Sequence, residues 1–192
     1  MCDESWYHGD MQETRNIIDH YHYWNHEAIM TDLDLRRNNF TVICCNILND
    51  FNISTTVRNS NAFLAKEVWI YGKKQYDRRG AVGTQVYTRF KHVKEIDNLR
   101  NELTIQKKNG SRIVGIDNVN NAKKITDYSW SKNHVVMIFG QEQIGIPLDV
   151  LDLCDDIVYI PQYGSVRSLN VGTASGIAMY DYCSKVLSDV NI

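Results

Sequence analysis

Three short segments of the chain hold residue types that could do chemistry. The first runs from Asn52 to Phe63 and sets an arginine, Arg58, six places after Asn52, with Ala62-Phe63 following. An amide and a guanidinium on one helical stretch could grip a phosphate or stabilise a developing oxyanion. A purely structural reading also exists, in which Asn52 caps the helix that follows and Arg58 is a solvated arginine. The second segment, Val136 to Pro147, is an apolar run ending in Gly140-Gln141-Glu142-Gln143-Ile144-Gly145. Its glycines would let a ligand lie against backbone amides and carbonyls, and Glu142 is also well placed near a helix N-terminus. The third, Ile160 to Val171, leads through Pro161, Arg167, Ser168, Leu169 and Asn170 into a stretch rich in Gly, Ala and Ser. Ser168 and Asn170 are good helix caps, and small residues permit close backbone packing.

Several commoner chemistries are disfavoured. A dinucleotide-binding fold needs a glycine-rich turn directly after its first strand, so that backbone can approach the pyrophosphate. Here Ile47 is followed by LNDFNIS, with no glycine. The same absence weighs against the commonest methyltransferase class. Gly140 and Gly145 mimic the start of a phosphate loop, but Ile146-Pro147 stand where Lys and Ser/Thr would handle phosphate and magnesium. His22 and His26 are four apart, yet the segment HYWNH has no glutamate of a zinc-protease pair and no third ligand is evident, so no metal is expected. No serine lies in G-x-S-x-G, and Cys44-Cys45 sit in an apolar run that would keep them protonated.

The elements that must position these segments follow from periodicity. Ile17, Ile18, Tyr21, Trp24, Ala28, Ile29 and Leu33 recur at helical spacing and predict a helix over about 12–37. Short apolar runs predict strands at Phe40–Ile47, Glu67–Tyr71, Arg112–Ile116, Val135–Phe139 and Ile157–Ile160. Between them lie a helix at about Ile53–Ala65, a basic loop at Tyr71–Gly83, and a helix at Val93–Lys108 stopped by Asn109-Gly110. After Ile116 a polar connection runs to Lys132. A short helix begins at Pro147, and a last one covers about Ser168–Leu187. Strands that are apolar throughout and alternate with helices imply an α/β domain with a mostly parallel sheet. In such sheets ligands sit at the carboxyl ends of strands, which singles out the loops after Phe139 and Ile160.

The 192 residues suit one domain with one sizeable core. Neither a linker nor a repeat divides them. The net charge of −2 is unusual for a nucleic-acid binder, although a local basic patch suffices to hold phosphates. No apolar run approaches the length of a membrane helix, and the acidic start MCDESWYHGD is unlike a secretory signal, so a cytoplasmic protein is expected. Five cysteines, an odd number with no C-x-x-C pair, read as reduced buried thiols.

Taken together, in this order and spacing, the three segments resemble the motifs of the SpoU/TrmH family of RNA ribose 2′-O-methyltransferases. Asn52, Arg58, Ala62 and Phe63 match the first motif, and Gly140, Glu142 and Gly145 the second. Ile160, Pro161, Ser168, Leu169, Asn170 and Val171 match the third. The resemblance covers about residues 40–187. Arg78-Arg79-Gly80-Ala81-Val82-Gly83-Thr84, with the aromatic N-terminal segment, looks like a TrmH-related subgroup. Two departures are Gln143, where glycine is common, and Gly172, where serine is usual. The resemblance implies a SPOUT-type domain at 39–192 behind an N-terminal helical extension at 1–38. It implies a C-terminal trefoil knot, contrary to the general rule that chains are unknotted, and a homodimer whose site draws on both subunits.

By the same resemblance the cofactor is S-adenosylmethionine and the substrate RNA, with tRNA favoured over rRNA because no extra domain is present. Ile116, Phe139, Gly140, Gly145, Ile160, Ser168, Leu169 and Asn170 would hold the cofactor, with Asp117 as an alternative to Ile116. Gly140 would leave it room. Arg58, Asn52, Glu142, Ser168 and Asn170 would line the reaction site. The first-motif arginine is often assigned as the base, but a guanidinium keeps its proton below a pH of about 12. Arg58 is therefore expected to grip the adjacent phosphate and stabilise alkoxide character, with Ser168 or the phosphate relaying the proton. Lys73, Lys74, Arg78, Arg79 and Arg167 would bind RNA, with Tyr71, Tyr76 and Tyr163 available for stacking. The rival readings are a SPOUT-fold RNA-binding module without catalysis and a small-molecule α/β enzyme.

Overall fold

Apolar runs flanked by polar turns become seven strands in the computed structural model, which describes residues 15–46, 52–141 and 144–187. They are β1 (Asn38–Asn46), β2 (Ala65–Gly72), β3 (Phe90–Val93), β4 (Arg112–Ile116), β5 (Lys123–Lys124), β6 (Val135–Phe139) and β7 (Asp156–Tyr159). Five helices accompany them: α1 (His26–Arg36), α2 (Ile53–Ala62), α3 (Ile96–Lys108), α4 (Leu148–Leu151) and α5 (Val171–Val186). The strands form one sheet in the order β3-β2-β1-β6-β4-β7-β5, and every pairing between them is parallel.

Parallel strands are joined by crossovers that cover both faces of a sheet, so residues on both sides of a central strand must be apolar. β1 and β6 satisfy this. Phe40, Val42 and Cys44 join Val135, Met137 and Phe139 in a core under α2 and α5, closed by Ile53, Val57, Met179 and Tyr182. Ile43 and Cys45 join Val136 and Ile138 in a second core under α3 and α4, closed by Leu99, Leu103 and Val150. Cys44 and Cys45 are buried and form no disulfide, as expected, and burial pushes the Cys45 thiol up. His134, just before β6, ties three strand starts together at the opposite end of the sheet from the loops after β6 and β7. Its ring nitrogens lie 3.0 Å from Thr41 Oγ1 and 2.9 Å from Ser111 Oγ.

The sequence reading departs from this structure at element ends and on polar strands. The long N-terminal helix is instead a single 3-10 turn at Asp19–Tyr21 followed by α1; residues 12–14 lie outside the described residues. Asn25 ends the expected helix because its side chain caps α1, accepting from the Ala28 amide at 2.8 Å. Tyr21 and Trp24 satisfy the periodicity by packing edge to face, ring centroids 5.4 Å apart. β3 occupies a stretch to which the sequence assigned no element, up to the start of the expected helix at Val93, and β5 a stretch read as polar connection. Both are sheet edges, where partial exposure removes the apolar signature. α5 starts at Val171, three residues later than expected, because Asn170 is its N-cap.

Candidate functional site

A cleft of about 250 Å³ opens at the carboxyl ends of β4, β6 and β7. Its walls are Ile116, Asp117 and Asn118 after β4; Gly140, Gln141, Ile144 and Gly145 after β6; and Ile160 and Gln162 after β7. Arg167, Ser168 and Leu169 close it, with Val171 and Ala174 from the first turns of α5. Ligand sites fall here in parallel sheets because the strand-end loops diverge and leave a crevice.

The loop after β6 folds back on itself. Gln141 and Gly145 exchange backbone hydrogen bonds of 2.9 and 2.8 Å. Gly145 takes a positive φ of 65°, and the Asp117 carboxylate holds the exit by accepting from the Ile146 amide at 2.7 Å. A Cβ on Gly145 would stand 2.6 Å from that carboxylate. Gly140 lines the cleft, and the structure gives it a second reason to be glycine. A Cβ at Gly140 would lie 2.1 Å from the Gly145 carbonyl carbon, so the missing side chain makes room for the loop's own backbone.

The first and third segments meet through α2 and α5. Asn52 does not cap α2 with its side chain. Its Oδ1 instead accepts from Asn170 Nδ2 at 2.8 Å, while Asn170 Oδ1 accepts from the Thr173 amide at 3.1 Å. One helical turn and then two along α2, Thr55 and Asn59 continue the contact. Asn59 Nδ2 donates to the Gly172 carbonyl at 2.8 Å and to Ser175 Oγ at 3.0 Å. A Cβ at Gly172 would come within 2.7 Å of Thr55 Cγ2, which accounts for glycine at a position where a larger residue was anticipated. The basic loop docks beside them: a Cβ at Gly80 would meet Ser54 Oγ at 2.4 Å. Arg58 follows Ser54 by one helical turn and is therefore on the flank nearest that loop. It is exposed and makes no hydrogen bond or ion pair among the described residues.

The proposed residues thus divide. Ile116, Gly140, Gly145, Ile160, Ser168 and Leu169 line the cleft, and so does Arg167. Asn170 borders it through its bond to Asn52. Phe139 is not among the walls; its side chain is 1% exposed in the core, which leaves only its backbone to face a ligand. Arg58 is outside the cleft walls, and Glu142 lies outside the described residues. Lys73, Lys74, Arg78 and Arg79 are exposed, and Arg79 is paired with Asp77 at 2.5 Å, which offsets its charge. Tyr163 is 91% exposed, as a stacking residue would be, whereas Tyr71 is buried and Tyr76 packs on the core.

Sequence reasoning missed Asn118, Gln141, Ile144 and Gln162 in the walls, and Asn46 below them. The buried Asn46 donates from Nδ2 to the carbonyls of Lys73 and Gln75 at 2.6 and 2.9 Å, fixing the start of the basic loop. A polar residue at the end of an apolar strand was the available signal. Gln162 has a further peculiarity: its Oε1 is buried and accepts no hydrogen bond among the described residues.

An all-parallel sheet covered on both faces, with a strand-end cleft completed by the start of the last helix, defines an α/β ligand-binding domain. Residues 39–180 match the SpoU rRNA Methylase family, and the chain belongs to that family. It is 28% identical over 152 residues to a tRNA (guanosine(18)-2′-O)-methyltransferase of Aquifex aeolicus, covering 78% of this chain and 71% of that one. The crystal structure of an A. aeolicus TrmH/SpoU tRNA modifying enzyme superposes with a TM-score of 0.73 at 23% identity, over 85% of this chain and 83% of the other. The SpoU methyltransferase AviRb of Streptomyces viridochromogenes, in complex with AdoMet, gives 0.70 at 22% identity, over 82% of this chain and 62% of that one.

Proposed function

We propose that the chain methylates a ribose 2′-hydroxyl of tRNA, using S-adenosylmethionine held in the strand-end cleft. The observation that carries this reading is that the second and third motif segments line one cleft, and the Asn52–Asn170 bond joins the first segment to its border. Relatives that align over most of the chain are named as tRNA enzymes, which favours tRNA as substrate.

The cleft's chemistry suits this cofactor. Ile116, Ile160, Leu169 and Val171 offer apolar contact to a nucleoside, Asn118, Gln141 and Gln162 offer neutral polar groups, and Arg167 is the one cationic side chain in the walls among the described residues. A triphosphate would need more positive charge. When bound, S-adenosylmethionine supplies an activated methyl group with its own leaving group. Ile116, Gly140, Gly145, Ile160, Ser168 and Leu169 would hold and orient it, so that the ribose oxygen is presented at a fixed geometry. As the new oxygen–carbon bond forms, the 2′-hydroxyl gives up its proton, through Ser168 or the adjacent phosphate. Arg58 grips that phosphate and stabilises the charge on the oxygen.

Residues 39–192 form the methyltransferase domain behind an extension at 1–38, and the domain is knotted. The strand order supports the knot: from β6 the chain crosses β4 to reach β7, and α5 then returns to pack on α2. The protein acts as a homodimer. Tyr163, Val166, Leu148 and Tyr180 are exposed apolar groups that a second copy would cover. The dimer also gives Arg58, which stands outside its own cleft, a cleft to serve. The test is incubation with labelled S-adenosylmethionine and tRNA, with the methylated nucleotide identified by mass spectrometry. Labelled 2′-O-methylnucleoside is expected; label in a base, or none, would sink the reading.

A further inference from the structure

The cleft wall contains an acceptor with nothing to accept. Gln162 follows Ile160-Pro161 at the end of β7, and its Oε1 is buried without a hydrogen-bond partner among the described residues. Two of the polar side chains in the same walls are occupied. Asp117 accepts from the amides of Asn118 and Ile146, both at 2.7 Å, and Asn118 Nδ2 points to the Arg167 carbonyl at 3.5 Å. Among the described residues four other side-chain atoms are buried and unpartnered, on Asn46, Asn61, Trp69 and Gln85, and none of those residues lines the cleft.

A buried, unsatisfied carbonyl destabilises a protein by about 1–3 kcal/mol. Such a group is tolerated where a ligand supplies the missing donor. Pro161 has a fixed φ and stiffens the approach to Gln162, so the acceptor is held in place before any ligand arrives. Ile116, Ile160 and Leu169 in the same walls lower the local dielectric, which strengthens the bond once it is made.

We infer that Gln162 recognises the cofactor, its Oε1 accepting a hydrogen bond from an N–H or O–H group of the adenosyl or amino-acid part of S-adenosylmethionine. The inference rests on the cofactor reading above. It makes Gln162 a specificity residue, because a site that holds an acceptor ready discriminates against ligands without the matching donor.

The test compares wild type with Gln162→Met, which keeps the length and removes the acceptor, and with Gln162→Leu. Calorimetry with S-adenosylmethionine and with S-adenosylhomocysteine is paired with thermal melts of the unliganded proteins. Both variants should bind both ligands about tenfold more weakly. Their unliganded Tm should be unchanged or higher, since an orphaned acceptor has been removed. This opposition of signs separates ligand recognition from a structural role. Binding at wild-type affinity in both variants would overturn the inference, and so would a fall of several degrees in Tm accompanying the weaker binding. No binding heat with the wild-type protein would overturn the cofactor reading itself.

Discussion

Asn170 Nδ2 donates to Asn52 Oδ1 at 2.8 Å, linking the start of α5 to the start of α2 across 118 residues of sequence. The same Asn170 caps α5 through Thr173. Replacing it with alanine removes both bonds and should cost about 1–2 kcal/mol. Asn52→Ala removes one and should cost less. In a urea-unfolding double-mutant cycle the two should couple by about 0.5–1.5 kcal/mol. Strict additivity would show that the bond contributes nothing to the docking of the two helices.

Gly140→Ala should destabilise the protein by about 2–3 kcal/mol, because the new methyl group meets the Gly145–Ile146 backbone and that loop cannot yield cheaply. Gly164→Ala provides the control. Nothing lies within 4 Å of a Cβ there and its φ is not positive, so the change should stay within about 0.5 kcal/mol. Urea midpoints measure both. Equal stability in the two variants would remove the steric account of the Gly140 loop.

Acid should weaken the fold in two separate windows. Burial, with a smaller contribution from Lys66, lowers the His134 pKa from 6.5 to about 4. Ser111 Oγ donates to Gln106 Oε1, so it accepts from His134 Nδ1, and Nε2 is left to accept from Thr41. Only the neutral ring fits that pattern. As pH falls from 6.5 the unfolded chain takes up a proton that the folded one refuses, and stability drops until about pH 4. After allowance for solvent screening the loss is on the order of 1–2 kcal/mol. Asp156 acts lower. Burial alone would raise its pKa, but hydrogen bonds from Arg112, Lys123 and Tyr128 outweigh it and hold the group at about 2. Its contribution is present above the unfolded value of 3.8 and fades as pH falls toward 2. His134→Gln should flatten the upper window in pH-dependent melts and leave the lower one. An unchanged upper window would assign it to another group.

The pattern of what the sequence disclosed follows from the physics of each element. β1 and β6 are buried on both faces, so their composition alone identifies them, and with them the strand ends where the cleft forms. β3 and β5 are edge strands with lysines and a histidine, and nothing local marks them. The motif residues were legible as types at a spacing, but their partners were not. Asn52 read as a helix cap because capping is a local property, whereas its bond to Asn170 depends on how α5 is laid on α2. Gln162 could not be singled out, since an unpaired acceptor is a property of three-dimensional surroundings. Gly140 was noted as glycine for the sake of a ligand, and the fold adds a second reason in the loop's own backbone.

Arg58 carries the mechanism, and its setting makes it separable from folding and from cofactor binding. It is exposed on α2, outside the cleft walls, without a hydrogen bond or ion pair among the described residues. Alanine there should leave Tm and S-adenosylmethionine affinity close to wild type. If the guanidinium stabilises charge on the reacting oxygen, the single-turnover rate at saturating RNA and cofactor should fall by two or more orders of magnitude, about 3 kcal/mol. Arg58→Lys then divides the roles. A lysine keeps a positive charge but loses the planar fork, so a phosphate grip should be partly restored and bidentate recognition should not. In a homodimer that shares its sites, mixing inactive Arg58→Ala with an inactive cleft variant such as Gly145→Val should restore up to about a quarter of the activity, through the one intact composite site that mixed dimers can form. No restoration would place Arg58 in the service of its own cleft. A wild-type rate in Arg58→Ala would take Arg58 out of the reaction and shift the weight to Ser168 and Glu142.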